Sequence, residues 1–176
     1  MEKRILFAGN SDQGVLYAGQ VFIEAAVEAG WHAACIDSGR QGDVVYCIIA
    51  LSRDPLRRGP AMPEVGMLVS LPAADAFERS IRPGGLLVLN GNAIRRPVLR
   101  RDVDVVMVPV DAEPEDPSLA TLTLLGALAA LTGWMPVDDA VAVVHKSCVG
   151  NAACQAFRQG VTFVEEMLKN TEAEAA

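Results

Sequence analysis

Hydrophobic residues in this chain fall into short unbroken runs separated by stretches of helical period. Arg4 to Ala8 is an apolar run bounded by Gly9 and reads as a buried strand. From Gly14 to Gly30 the residues Val15, Ala18, Val21, Phe22, Ala25, Ala26 and Ala29 recur at helical spacing, and Gly30 caps the end. Trp31 to Ile36 predicts a second strand, Asp37 to Gly42 a polar turn, and Asp43 to Leu51 a third strand. A Pro- and Arg-rich loop follows from Ser52 to Pro63. Val65 to Leu71 predicts a fourth strand, and Pro72 sits where the first turn of a short helix near Ala73 to Ser80 tolerates it. Pro83-Gly84-Gly85 turns the chain into the strand Leu86 to Asn90, and Val103 to Val108 predicts another. Three helices close the pattern: Ser118 to Leu131, Val137 to His145 and Asn151 to Lys169. Strands alternating with helices, then helices alone, predict one three-layer α/β/α domain over residues 1–170. Its sheet is expected to be largely parallel, and residues 171–176 to form a frayed tail.

Composition narrows the classes. A length of 176 residues suits one well-buried domain, and 51% hydrophobic content with few aromatics suits a sheet covered on both faces. The net charge of −7 argues against a nucleic-acid partner, whose phosphates need clustered Lys and Arg. The basic pairs Arg57-Arg58, Arg95-Arg96 and Arg100-Arg101 flank predicted strands and read as solvated loops. The longest apolar stretch, Leu119 to Leu131, is too short for a bilayer and reads as a buried helix. Met1-Glu2-Lys3-Arg4 runs straight into a strand, which reads as no secretory leader and a cytoplasmic location.

Candidate chemistry is sparse. Cys35, Cys47, Cys148 and Cys154 form no CxxC pair and read as buried free thiols, not as cluster or zinc ligands. His32 and His145 lack metal-ligand partners at helical spacing and read as packing or surface residues; no metal site and no catalytic set is assigned. The acidic loop Asp111 to Asp116 reads as a solvated connection. The informative segment is the first turn, Gly9-Asn10-Ser11-Asp12-Gln13-Gly14, where a strand stops at a glycine and hands over to a helix. Such a turn can cradle a phosphate in backbone N–H groups. It lacks the Lys of a P-loop, since Val15-Leu16 follow Gly14, and Ser11 stands where a dinucleotide fingerprint needs glycine. On local grounds alone the turn reads first as a Ser/Asp N-cap on an ordinary strand-to-helix turn. Ile81 to Val88 is similar to a late strand of S-adenosylmethionine-dependent methyltransferases, which keeps that class, and a stand-alone nucleotide-binding module, open as alternatives.

Taken together, the segments resemble the gamma subunit or domain of 2-oxoacid:ferredoxin oxidoreductases, which act on pyruvate, 2-oxoglutarate, ketoisovalerate or indolepyruvate. The family's Gly-x-Gly-Gly-Gln-Gly-Val turn corresponds to Gly9 to Val15. Its Glu-x-Arg-Gly-Gly loop corresponds to Gly39-Arg40-Gln41-Gly42-Asp43, and the strand after it to Ala50-Leu51-Ser52-Arg53-Asp54-Pro55-Leu56. Phe77 to Asn90, Leu125 to Gly133, and Asn151 with Ala156-Phe157 and Gly160 follow in register. Ser11 and Asp12 replace two glycines, and Gln41 and Asp43 replace the arginine and a glycine of the second loop. These changes add Cβ atoms and remove a bidentate cation. The resemblance implies a non-catalytic subunit of an enzyme that oxidatively decarboxylates a 2-oxoacid to acyl-CoA with ferredoxin as acceptor. It implies that this chain binds no cofactor alone. Thiamine diphosphate, iron–sulfur clusters and CoA would reside in a complex with thiamine-binding alpha and beta subunits and a ferredoxin-like subunit. Gly9, Asn10, Ser11, Asp12, Gln13 and Gly14 would then face the active-site or CoA region, with Ser38, Gly39, Arg40, Gln41 and Gly42 as a neighbouring partner-contact loop.

Overall fold

The computed structural model describes residues 1–57, 59, 61–111, 115–147 and 151–175. Twelve elements follow in order: β1 (Lys3–Asn10), α1 (Val15–Glu28), β2 (His32–Gln41), β3 (Val44–Ser52), β4 (Val65–Leu68), α2 (Leu71–Phe77), a 3-10 turn (Glu78–Ser80), β5 (Leu86–Asn90), β6 (Asp104–Val108), α3 (Ser118–Thr132), α4 (Val137–Ser147) and α5 (Ala152–Ala175). The six strands form one sheet in the order β2-β3-β1-β4-β5-β6. β1, β4, β5 and β6 are parallel neighbours, while β3 runs antiparallel to both β1 and β2. The sheet is therefore mixed, with β3 reversed.

That reversal corrects one sequence expectation. Residues Asp37 to Gly42 do not form a polar turn. β2 continues through Gln41, paired with Val44, and the chain reverses in the two-residue loop Gly42-Asp43, with Gly42 at φ 63°. A register irregularity between Cys35 and Asp37 puts a bulge in this edge strand. Ser38, Gly39, Arg40 and Gln41 are consequently strand residues. At the other end of the chain, α5 runs to Ala175, so residues 171–175 of the stretch read as a tail are helical. Cys148, Arg58 and residues 112–114 of the acidic loop lie outside the described residues.

Two cores explain the layers. Alternate residues of β1 point to opposite faces. Ile5 and Phe7 pack with Phe22 of α1, with α3, α4 and α5 completing that side. Leu6 and Ala8 pack with Ala73 and Ala74 of α2, Ile81 and Ile94. Two of the arginines read as solvated, Arg96 and Arg100, hold the segment before β6 against α2 and the turn that follows it. Arg96 bridges Asp75 (2.7 Å) and Glu78 (3.0 Å), and Arg100 donates to the carbonyls of Glu78 (2.9 Å) and Ile81 (2.6 Å).

α3 is buried on every side from Ala120 to Ala129, so it shows no amphipathic face. It achieves this by lying against α5 at backbone distance. A Cβ on Gly126 would overlap the Phe157 carbonyl oxygen, and one on Gly160 would overlap the Thr123 carbonyl oxygen. α1 ends in a Schellman arrangement, with Trp31 N donating to Ala26 O (3.0 Å) and Gly30 N to Val27 O (2.9 Å). No helix among the described residues is long and apolar enough to cross a membrane.

Two measurements test this packing. Gly160→Ala gains about 1 kcal/mol of helix propensity but must push the backbones of α3 and α5 apart. Overpacking of about 1–3 kcal/mol, here toward the upper end, should therefore win. Equilibrium denaturant unfolding should show a lower midpoint, and an unchanged or raised midpoint would contradict the contact. At the N-terminal edge, Glu2 accepts from Arg57 N (2.9 Å) and from Arg4 Nη2 (2.8 Å), which holds its carboxyl below the ordinary glutamate value of 4.5. A depressed folded value adds stability that is complete above the unfolded value and lost as pH falls through the folded one. The stability gap between the native chain and Glu2→Gln should be present at neutral pH and shrink as the pH falls below the ordinary glutamate value.

Candidate functional site

The connections on either side of β1 and β4 leave in opposite directions. β1 passes into α1 on one face of the sheet and the chain returns at β2; β4 passes into α2 on the other face and returns at β5. In open α/β sheets ligands bind outside the carboxyl ends of strands where the connections diverge in this way. Here that point lies between Asn10, the last residue of β1, and Ser70, just beyond β4.

The first turn is built around this point. Gly14 is the N-cap of α1 at φ 66°, a left-handed conformation that L residues with a Cβ adopt only under strain. No side chain caps α1, so Ser11 and Asp12 are not the N-cap that the sequence alone allows. The Gln13 side chain reaches back so that its Oε1 accepts from the Asn10 backbone N–H (2.8 Å). Gln13 N donates to Asn10 O (3.0 Å), and Ser11 N donates to Asp43 O (3.0 Å) across to the hairpin loop. Three amides of the expected phosphate cradle are thus engaged within the protein. The Gln13 carbonyl in turn accepts from Thr121 Oγ1 of α3 (2.5 Å). Ser70 is the N-cap of α2: its hydroxyl oxygen accepts from Ala73 N (3.3 Å) and its proton goes to Asn10 Oδ1 (2.9 Å).

The second predicted segment divides. Its far end, Gln41 to Asp43, stands beside the first turn and borders a shallow groove of about 630 Å³ shared with Leu71, Pro72 and Asp75 of α2. Ser38 lies further down the strand opposite Cys47, and Gly39 lies under the Tyr46 ring. Arg40 is folded back on its own loop, donating to Gly42 O (2.7 Å) and standing 3.5 Å from Asp43. β3 separates the two predicted segments' strands, so β1 and β2 are not neighbours. Sequence reasoning misses Ser70 and Thr121. The signal for Ser70 is local, a serine two residues before Pro72 at the close of an apolar run. Thr121 lies 108 residues from Gln13, and nothing local marks it.

Other features fall away from this edge. Pro83-Gly84-Gly85, the basis of the methyltransferase alternative, precedes β5 and so lies at the sheet's opposite end. His32 and His145 are exposed, on β2 and α4. Among the described residues no three His, Cys, Asp or Glu side chains are grouped so as to hold a metal ion. Cys35, Cys47 and Cys154 are free thiols, but only Cys47 is buried; Cys35, on the exposed edge strand β2, is not buried as the sequence suggests. This donor set does not fit an iron–sulfur cluster.

The sequence matches the family described as pyruvate ferredoxin/flavodoxin oxidoreductase over residues 4–163, and the chain belongs to that family. No curated protein matches it closely enough to count as a relative. Among solved structures, the gamma subunit of a keto/oxoacid ferredoxin oxidoreductase from Geobacter sulfurreducens aligns with TM-score 0.81 at 21% identity, over 96% of this chain and 98% of that one. The 2-oxoglutarate:ferredoxin oxidoreductase of Magnetococcus marinus, solved with 2-oxoglutarate, coenzyme A and succinyl-CoA bound, aligns with TM-score 0.81 at 17% identity. That match covers 94% of this chain but 31% of the larger one. A pyruvate oxidoreductase subunit from Thermotoga maritima aligns with TM-score 0.62 at 20% identity, over 94% and 96% of the two chains.

Thiol chemistry offers a check on the site's surroundings. Cys47 is buried between β3 and α1, and burial pushes its thiol up to about 12, while Cys35 is exposed on β2. In the folded chain at mildly alkaline pH, iodoacetamide should label Cys35 and spare Cys47, as read by peptide mass spectrometry. Labelling of Cys47 at the rate seen in denaturant would contradict the packing.

Proposed function

We propose that this chain is an accessory, gamma-type subunit of a 2-oxoacid:ferredoxin oxidoreductase. The assembled enzyme would convert a 2-oxoacid and CoA to an acyl-CoA and carbon dioxide, with ferredoxin taking the electrons. Family membership over residues 4–163, together with the divergence of the chain connections at the carboxyl ends of β1 and β4, is the observation that carries this reading. Thiamine diphosphate and the iron–sulfur clusters would belong to thiamine-binding alpha and beta subunits and a ferredoxin-like subunit.

The chain's own contribution is shape and hydrogen bonding. Gly9 to Gly14 would face the assembled active-site or CoA region, fixed by Thr121 and Asp43. The hairpin end at Gln41 and Gly42 would contact a partner subunit beside it. Ser38, Gly39 and Arg40 belong to the same hairpin and would support that contact from the strand. Neither segment presents a nucleophile with an adjacent base, so the role is positioning, not bond making.

Co-expression of the chain with the thiamine-binding and ferredoxin-like subunits from the same cell tests this. A stable complex is expected, with 2-oxoacid- and CoA-dependent dye reduction that falls sharply when this chain is omitted. Turnover by the isolated chain, or full activity of the other subunits without it, would overturn the proposal. Isothermal titration of the isolated chain with S-adenosylmethionine should show no tight binding; saturable binding would favour the methyltransferase alternative.

A further inference from the structure

β6 closes one end of the sheet, and its outer edge is unpaired. The parallel pairing with β5 fixes which backbone groups point outward. Asp104 N donates to Gly85 O (2.9 Å) and Val108 O accepts from Gly91 N (2.8 Å), so residues 104, 106 and 108 turn their peptide groups toward β5. The N–H and C=O of Val105 and Met107 therefore face away from the sheet, and among the described residues they have no partner. The side chains of these two residues share the register of Leu87 and Leu89, on the α2 face of the sheet. α2 lies over β1 and β4, which leaves Val105 36% and Met107 37% exposed.

The two edges of the sheet are built differently. β2, at the other end, is largely polar, bears Asp37 and Arg40 and carries a bulge, all of which discourage a further strand. β6 has none of these from Val105 to Val108; Pro109, which has no N–H, ends any ladder there. Charge is arranged symmetrically about Val106. Arg101 stands five residues before it, exposed and without an ion-pair partner among the described residues, and the exposed Asp111 stands five residues after it. A second β6 running antiparallel, with Val106 opposite its own copy, brings the Arg101 end of each strand to the Asp111 end of the other. The same register sets Val105 opposite Met107, each pair exchanging both of its backbone hydrogen bonds. It also gathers the exposed Val105 and Met107 side chains of both copies into one apolar cluster.

We infer that β6 pairs with the β6 of a second copy of this chain, joining two sheets edge to edge about a two-fold axis at Val106. A foreign strand could satisfy the same N–H and C=O groups, but the charges matched at both ends favour the chain itself. β6 lies at the opposite edge from the β2–β3 hairpin, so the pairing leaves the hairpin and the first turn open to other subunits. The pairing is independent of the subunit role proposed above.

Sedimentation equilibrium of the purified full chain over a dilution series tests the pairing, and a reversible dimer is expected. Met107→Lys puts an ammonium from each copy into the apolar cluster and should weaken dimerisation roughly tenfold. Its far-UV circular dichroism should match the native chain, because the side chain is exposed. Val105→Glu alone should also weaken the dimer. The double variant Val105→Glu with Met107→Lys should recover it, since the register sets each new carboxylate opposite a new ammonium. Cross-linking reads the axis itself. Val106 meets its own copy as a non-hydrogen-bonded pair, with Cα atoms about 4.5 Å apart and within disulfide reach. Under mild oxidation Val106→Cys in a Cys35→Ser background should give a linked dimer, well above the level of Cys35→Ser alone, and Val105→Cys in that background should not. A monomer at every concentration up to millimolar, a dimer that Met107→Lys leaves intact, or a Val106→Cys chain that does not cross-link overturns the inference.

Discussion

The backbone-to-backbone approach of α3 and α5 at Gly126 and Gly160 is the constraint from which the rest follows. α3 has no polar face to give to water, so it must be enclosed, and enclosure is possible only if α5 comes close enough to seal it against the sheet. Once seated, α3 presents Thr121 to the Gln13 carbonyl and Ser118 to the underside of Gly14. A packing requirement in the helical layer thereby fixes the height and tilt of a turn that belongs to the first strand.

Hydrogen bonds complete what packing begins. Four separate elements meet at Asn10: its own strand, the turn through Gln13, the cap of α2 through Ser70, and the hairpin through the neighbouring Ser11–Asp43 bond. The substitutions that distinguish this chain from the glycine-rich family pattern fit this arrangement. Ser11 keeps its amide in use by Asp43, and Gly14, the position with a left-handed backbone, remains glycine.

Much of the fold was legible in the sequence because its signals are local. Pro72, Gly30 and the apolar run at Leu86 to Asn90 mark boundaries that the structure places within a few residues. The hairpin misled because Ser38, Gly39 and Gln41 are polar or small, as loop residues usually are. They are polar because β2 is an exposed edge strand, and exposure rather than a turn sets their chemistry. The reversed direction of β3 had no local signature, since antiparallel pairing is decided by which strands meet. In the site, the glycine-bounded turn could be read directly, whereas Thr121 could not, because its partner lies on the far side of the chain. Arg96 and Arg100, before β6, read as solvated because the partners that hold them, the Asp75 carboxylate on α2 and the Glu78 carbonyl in the turn after it, sit about twenty residues earlier.

The β2–β3 hairpin has one further consequence. Its loop rises from the same side of the sheet as the end of β1, and beyond the β1–β3 ladder the Ser11 N–H to Asp43 O bond ties the loop to the turn. Strand length therefore acts as a ruler: adding one residue pair to each arm would lift the loop by about 7 Å and detach it from the turn. Relatives with longer or shorter arms would present a differently terraced rim to whatever docks there, while the layers beneath stayed the same.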